Sequence, residues 1–250
     1  MIARGPERDD LPGLAAALPW GEGRKAFQAK AYELCARDDV GRVCDIGGGA
    51  NPIIASRDVH GLGVEYTLLD VSETELAKAP QEMRRYVADI AAPGFASPQL
   101  FDLVISRTVL EHVADPAQFH RNVFAMLRPG GYALHLYPTL YALPFVVNRL
   151  LPEFGVRQLL LVAQPFRTAE GQHGKFPALY RWCRGPTRRQ LRHLERVGYE
   201  IIVYRPLYGH DYYKRVGALA YLEQLKTRAL LRHPVPWLTS YAYVVLRRPD

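Results

Sequence analysis

The chain has 250 residues, a formal net charge of +7 and a pI near 9.4, with 48% hydrophobic and 23% charged residues. That composition excludes a disordered or membrane-embedded chain and fits one globular domain over 1–250. Cys35, Cys44 and Cys183 are odd in number and widely spaced. They point to neither a disulfide framework nor a Cys-rich metal centre, and they fit a reducing, cytoplasmic setting.

The first residues, M-I-A-R-G-P-E-R-D-D, mix charges of both signs and lack the apolar stretch of a secretory leader. Residues 22–37 carry apolar side chains near helical spacing and few β-branched residues, which predicts a helix. R-V-C-D-I (42–46) is a short apolar run that predicts a strand, and the glycine-rich D-I-G-G-G-A-N-P follows from Asp45 to Pro52. A second strand is predicted at 64–70. After it, Ser72 followed by Glu75 forms a capping box ahead of a helix. Further strands are predicted at 85–90 and 101–106. A helix spans Pro116 to Leu127 and ends at R-P-G-G, where Pro129 cannot continue it and the glycines supply a turn.

A fifth strand covers 132–137, and two more cover 200–205 and 241–247. Apolar strands alternating with helices predict an α/β, doubly wound, mostly parallel sheet covered on both faces. Two stretches break the alternation, 138–185 and 206–238, and connections of that length are expected to be substrate-covering lids. Their apolar residues suit a homodimer contact as readily as a cleft. The most apolar part, 140–163, is interrupted by Pro144, Arg149, Pro152, Glu153 and Arg157, which rules it out as a clean membrane span. The densest basic run, R-W-C-R-G-P-T-R-R-Q-L-R (181–192), invites a nucleic-acid reading, yet one exposed helix face has the same look, and we favour the latter.

In a sheet of this kind the ligand crevice lies beyond the carboxyl ends of the strands, and the first strand-to-helix loop is its usual cradle. Gly47 and Gly49 match the first two positions of the dinucleotide fingerprint G-x-G-x-x-G, and Pro52 stands where the third glycine belongs. Asp45 argues against a diphosphate. A carboxylate at the mouth of the loop repels phosphate oxygens and attracts an ammonium or sulfonium group, both of which S-adenosylmethionine (SAM) carries. Asp70, about 20 residues past the glycines, is placed to accept hydrogen bonds from ribose hydroxyls. Asp89 is placed to receive an adenine amino group, with Ile90 packing on the ring. The bland alternatives are that Asp45 caps the following turn and Asp89 a helix start.

The segments D-I-G-G-G, L-L-D-V-S, V-A-D-I, F-D-L-V-I-S-R-T-V-L-E-H-V-A-D-P and L-R-P-G-G, in that order over about residues 40–137, resemble the class I, Rossmann-like SAM-dependent methyltransferases. The resemblance implies a seven-stranded sheet with the last strand antiparallel, SAM above Gly47 and Gly49, and in-line methyl transfer. It also implies that Arg107 and Thr108 border the methionine end of the cofactor.

With the methyl already activated, the protein has to hold an acceptor in line and manage its proton. Histidine suits that work near neutral pH, and His112, His173 and His210 are the candidates, with His135 expected to point into packing. Glu111 and His112 are weak candidates to ligate a divalent metal, since two adjacent residues do not define a site. The chain lacks the Asn/Asp-Pro-Pro-aromatic turn of nucleobase amino-methylating enzymes and a Pro-Cys nucleophile. Aromatic and arginine-rich lids suit stacking on sugar or aromatic faces. The expectation is an O-methyltransferase acting on a hydroxyl of a sugar, saccharide or secondary metabolite. The alternatives are N- or C-methylation of a small molecule, a non-catalytic SAM-binding module, and an RNA-binding protein.

Overall fold

Residues 42–46 form a strand because Val43, Cys44, Asp45 and Ile46 are all buried between two covering layers, which is why they read as a continuous run rather than an alternation. The structure is a computed structural model and describes residues 11, 13–142, 146 and 177–250. In chain order the elements are β1 (Leu18–Pro19), α1 (Trp20–Cys35), β2 (Arg42–Ile46), α2 (Ser56–Leu62), β3 (Glu65–Asp70), α3 (Glu73–Leu76), β4 (Arg84–Val87), β5 (Phe101–Arg107), α4 (Pro116–Met126) and β6 (Leu127–Pro138). Most of the expected first lid, 143–145 and 147–176, lies outside the described residues; beyond it come α5 (Arg188–Glu195), β7 (Glu200–Tyr208), α6 (Gly217–Arg232) and β8 (Tyr241–Arg247).

The strands form one sheet in the order β1-β7-β8-β6-β5-β2-β3-β4. β8 is antiparallel to both of its neighbours, and every other pairing is parallel. Chain order reverses direction between β2 and β5, so the crevice of a doubly wound sheet opens where their carboxyl ends lie side by side. The core fills both faces: Phe27, Ala31, Leu34 and Cys35 of α1 are buried at the spacing of a single helix face, and Phe119, Val123 and Met126 of α4 likewise.

The predicted seven strands are all present. The eighth, β1, has two residues, too few to show any alternation, and it reads along the outer edge of β7 (Leu18 to Leu207, Pro19 to Tyr208). Pro19 has no amide to donate, so only an edge position suits it. The predicted 85–90 strand ends at Val87, leaving Asp89 and Ile90 in the loop beyond it. The R-P-G-G turn is drawn into the beginning of β6, because Leu127 pairs with Phe101 and Gly130 N–H donates to the Arg248 carbonyl at 2.9 Å. Gly130 takes up the irregularity with φ +77°. β7 continues to Tyr208, and α6 occupies much of the second insertion.

The basic run near 181–192 enters α5, whose Gln190, Leu191 and Leu194 are buried while Arg188, Arg189 and Arg192 are exposed, the face expected of a covering helix. Among the described residues no helix is long and apolar enough to cross a membrane.

Candidate active site

Asp45 ends β2 fully buried. Its Oδ2 accepts the Ile53 N–H at 2.7 Å and the Tyr66 hydroxyl at 2.8 Å, while no hydrogen bond reaches Oδ1. Tyr66 OH in turn accepts the Ile54 N–H at 3.2 Å. Burial pushes the Asp45 carboxyl up from 3.8 to about 7, against the pull of the Ile53 and Tyr66 donors and of Arg107. Asp45 therefore does close the following turn, as one reading of the sequence held, and still presents an unpaired buried oxygen.

Gly47 and Gly49 have φ of +73° and +27°. A Cβ on Gly47 would stand 2.4 Å from Val109 Cγ2, and one on Gly49 3.0 Å from Asp70 Oδ2. Gly48 between them is equally constrained, since its Cβ would meet Leu68 and the Asp45 carboxyl at 2.8 and 2.9 Å. The loop is fixed at its far end by Gln28 Nε2 to the Ile53 carbonyl at 2.6 Å and by Arg107 Nη2 to the Asn51 carbonyl at 3.2 Å. Over Gly47, Gly48 and Gly49 the loop presents backbone alone.

Asp70 ends β3 on the other side of this loop, half-buried, its Oδ1 accepting the Ser72 N–H at 2.9 Å. Burial, then the neighbouring Glu75, raises its carboxyl, with the Ser72 amide pulling the other way. Ser72 Oγ caps α3 through the Glu75 amide at 3.2 Å, while its own amide goes to Asp70 instead of to Glu75 as a full capping box requires. Asp89 is exposed and its Oδ1 accepts the Ala91 N–H at 2.8 Å. Ile90 is buried, its carbonyl held by Asn122 Nδ2 at 2.7 Å; the same amide reaches the Ala92 carbonyl at 3.1 Å, so α4 sets the shape of the loop after β4.

Beyond β5, Thr108 has φ +56°, a costly conformation for a non-glycine residue that recurs at functional sites. It turns the chain so that Val109 covers Gly47, and Glu111 and His112 follow in a short 3-10 turn (Leu110–His112). Glu111 is buried and pushed up from 4.5 to about 8 by that burial; its Oε2 lacks a hydrogen bond. The Glu111 carbonyl accepts the Leu179 and Tyr180 amides at 2.6 and 3.0 Å, which fastens the returning end of the first insertion to the crevice. His112 Nδ1 lies 3.2 Å from the Pro177 carbonyl and Nε2 lies 3.9 Å from Glu111 Oε1. Among the described residues no third His, Cys, Asp or Glu joins Glu111 and His112 in a metal-holding group.

A wall of aromatics stands next to Glu111. Trp20 stacks on Tyr241 with centroids 3.7 Å apart, and burial, then Tyr212, Glu111 and Tyr180, hold the Tyr241 phenol above its usual range. His135 is buried in β6 against Ser106 Oγ at 2.7 Å, in packing as expected. His173 lies outside the described residues. His210 is buried beyond β7 and faces Glu223 of α6, with Nε2 to Oε1 3.6 Å, away from the glycine loop.

The crevice thus joins Asp45, Gly47, Gly49, Asp70, Arg107 and Glu111–His112. Tyr66, Asn122, Val109 and Trp20 belong to it as well, though no local pattern marks them. The residues fit the cofactor expected from the sequence. An orphaned, buried carboxylate oxygen calls for a cationic partner, and three glycines stand where a Cβ would press on Val109, Leu68, Asp45 or Asp70, which keeps the loop bare of side chains there. The acidic cluster of Asp45, Asp70 and Glu75 opposes a diphosphate.

Residues 20–203 match a family model described as a methyltransferase domain. The ubiquinone biosynthesis O-methyltransferase of Caulobacter vibrioides is 34% identical over 94 residues, 35% of this chain and 36% of that protein. The Escherichia coli tRNA 5-carboxymethoxyuridine methyltransferase is 27% identical over 224 residues, 84% and 80% of the two chains. The leading curated relatives are matched over less than half of their own length. A SAM-dependent methyltransferase from Mesorhizobium loti shares the fold at a TM-score of 0.56 and 22% identity, covering 90% of this chain and 99% of that one.

Proposed function

The chain belongs to the methyltransferase-domain family, with the sheet of a class I SAM-dependent methyltransferase, and from that premise we propose that it methylates a hydroxyl oxygen of a sugar, saccharide or secondary metabolite, with His112 taking the proton. The observation that carries this reading is the Pro177 carbonyl 3.2 Å from His112 Nδ1. A carbonyl can only accept, so Nδ1 holds the hydrogen and the lone pair of the neutral ring sits on Nε2. That is the tautomer a base needs.

SAM, when bound, supplies a methyl group on a positively charged sulfur. Asp45 and the glycine backbone would hold its methionine and nucleoside parts, Asp70 its ribose, and Asp89 with Ile90 its adenine, while Arg107 borders the methionine end. Trp20 and Tyr241 offer the acceptor a flat wall. As the acceptor oxygen forms its bond to carbon, its proton passes to His112 Nε2, and Glu111 lies 3.9 Å away, where its carboxyl, held neutral by burial up to about pH 8, stabilises the protonated ring once it ionises. The O-methyltransferase relatives give this reading further support.

The test is release of S-adenosylhomocysteine (SAH) on incubation with SAM and panels of phenols, sugars, nucleosides and amines, with the product's methyl located by mass spectrometry and NMR. A methyl on oxygen is expected, and His112→Gln lowers kcat by about 100-fold or more with SAH affinity unchanged. Methyl on nitrogen or carbon, or full turnover by His112→Gln, overturns the proposal.

A further inference from the structure

Past the end of β7, a cavity of about 340 Å³ lies between α6 and the start of α1, lined among others by Trp20, Tyr208, His210, Tyr213 and Glu223. Its size is that of a small-molecule site. Its polar groups are built in: the His210 side chain is 1% exposed and that of Glu223 9%. Neither ring nitrogen of His210 has a hydrogen-bond partner, nor does Glu223 Oε1. The two side chains approach to 3.6 Å without bonding. Gly209, with φ +84°, brings this end of β7 against α6, since a Cβ there would stand 2.8 Å from Thr227 Oγ1. Tyr213 meets the His210 ring edge-on at 4.6 Å and holds it in place.

Buried polar atoms without partners are costly and imply that something else satisfies them. The chemistry on offer is specific. A neutral histidine presents one donor and one acceptor, and Glu223 Oε1 adds an acceptor. Glu223 Oε2 is already paired with Lys226 at 2.6 Å, so an incoming cation gains little. Asp211 is paired with Lys214 at 2.9 Å, and with Glu223 and Arg228 the lining carries two carboxylates and two cations, no net charge that would draw in an ion of either sign. The complement is an uncharged group that both donates and accepts at neighbouring atoms, which describes vicinal hydroxyls. Trp20, with one face against Tyr241, lines the cavity as a flat side chain of the kind that suits a sugar ring.

Along the strand edge His210 is three ladder spacings from β5, roughly 14 Å at about 4.8 Å each. That span suits recognition of a remote part of the acceptor and leaves the proton at the methyl to His112. We propose that this cavity is the saccharide-recognition subsite of the acceptor, in which His210 and Glu223 bind hydroxyls of a neutral sugar ring stacked on Trp20. This rests on the hydroxyl-directed reading above and narrows its substrate class.

The test is saturation-transfer NMR of the full chain with SAH, using glucose, mannose, galactose and rhamnose as probes and glucuronic acid as the charged control. At least one neutral sugar is expected to bind and glucuronic acid to bind less well. Glu223→Gln and His210→Gln should each weaken that binding by about tenfold or more. SAH affinity, measured by calorimetry, should remain within about twofold, showing that the variants are folded. Absence of binding by every neutral sugar, or binding that both variants retain, overturns the proposal. If the sugars bind through His210 and Glu223 but the methyl ends on nitrogen, the hydroxyl reading fails and the subsite stands. If both variants methylate an oxygen of a non-sugar acceptor at the wild-type rate, the subsite fails and the hydroxyl reading stands.

Discussion

Asp45→Asn separates what the site needs from what the fold prefers. In the folded chain the carboxyl is raised from 3.8 to about 7, so the unfolded chain ionises it first. Its contribution to stability is complete below about pH 4 and is lost as the pH rises through about 7. Three pH units at about 1.36 kcal/mol each come to about 4 kcal/mol lost by pH 8.5. An amide of the same shape keeps the acceptor for Ile53 and Tyr66 and carries no charge, but it buries an NH₂ where Oδ1 has no partner, at about 1–3 kcal/mol. The variant should therefore be more stable than the parent by about 1–3 kcal/mol at pH 8.5 and lose that advantage by pH 4.5, read by urea unfolding. At pH 8.5 it should also bind SAH about 10- to 100-fold more weakly, read by calorimetry, because the ammonium loses its carboxylate. A stability difference that does not change with pH, or undiminished SAH affinity, refutes the reasoning.

Asp70→Ala should weaken SAH binding by about 1–3 kcal/mol, the cost of unpaired ribose hydroxyls, and an unchanged affinity by calorimetry removes Asp70 from the site. Gly47→Ala places a methyl 2.4 Å from Val109 Cγ2 at φ +73° and should lower unfolding free energy by about 1–3 kcal/mol; adding Val109→Ala should restore part of the loss, and full stability of the single variant would show that the loop yields freely. His120 is buried and pushed down from 6.5 to about 3 by that burial, so its contribution is intact above about pH 6.5 and falls as the pH drops toward 3. Replacing it with Phe should change the pH slope of stability between about pH 4 and 6 by about one proton, about 1.36 kcal/mol per pH unit, and an unaltered slope in denaturant titrations at several pH values would contradict this.

The doubly wound sheet was legible because strands buried on both faces are mostly apolar, as Val43, Cys44 and Ile46 and Leu103, Val104 and Ile105 are, with buried polar residues in those two strands confined to Asp45, Asp102 and Ser106. β1 was not, since two residues carry no period and its pairing with β7 is a property of the assembled edge. Asp45, Gly47, Gly49 and Asp70 stood out because a tight turn and a charge at a strand end are demands written at one place in the chain. Val109 over Gly47, Tyr66 on Asp45 and Asn122 under Ile90 are separated from their partners by tens of residues and meet only through packing. The buried state that lifts Asp45 and Glu111 is likewise a property of the whole layer above them. His210 shows the converse: it stood out in the sequence, while the carboxylate facing it, Glu223, lies one element further on and nothing beside the histidine announces it.

β1 and the start of α1 lean entirely on strands that come at the other end of the chain. Arg205 donates to the Ala16 carbonyl across 189 positions, Trp20 lies flat on Tyr241, and Gly23 is a glycine where Leu207 leaves no space for a side chain. On the ribosome, this opening segment waits with nothing to dock against until β7 and β8 emerge, and so many distant contacts put the molecule among the slower folders. The stacked pair of Trp20 and Tyr241, the wall we propose for the acceptor, is therefore among the last parts to assemble, because its two rings come from opposite ends of this sheet's sequence.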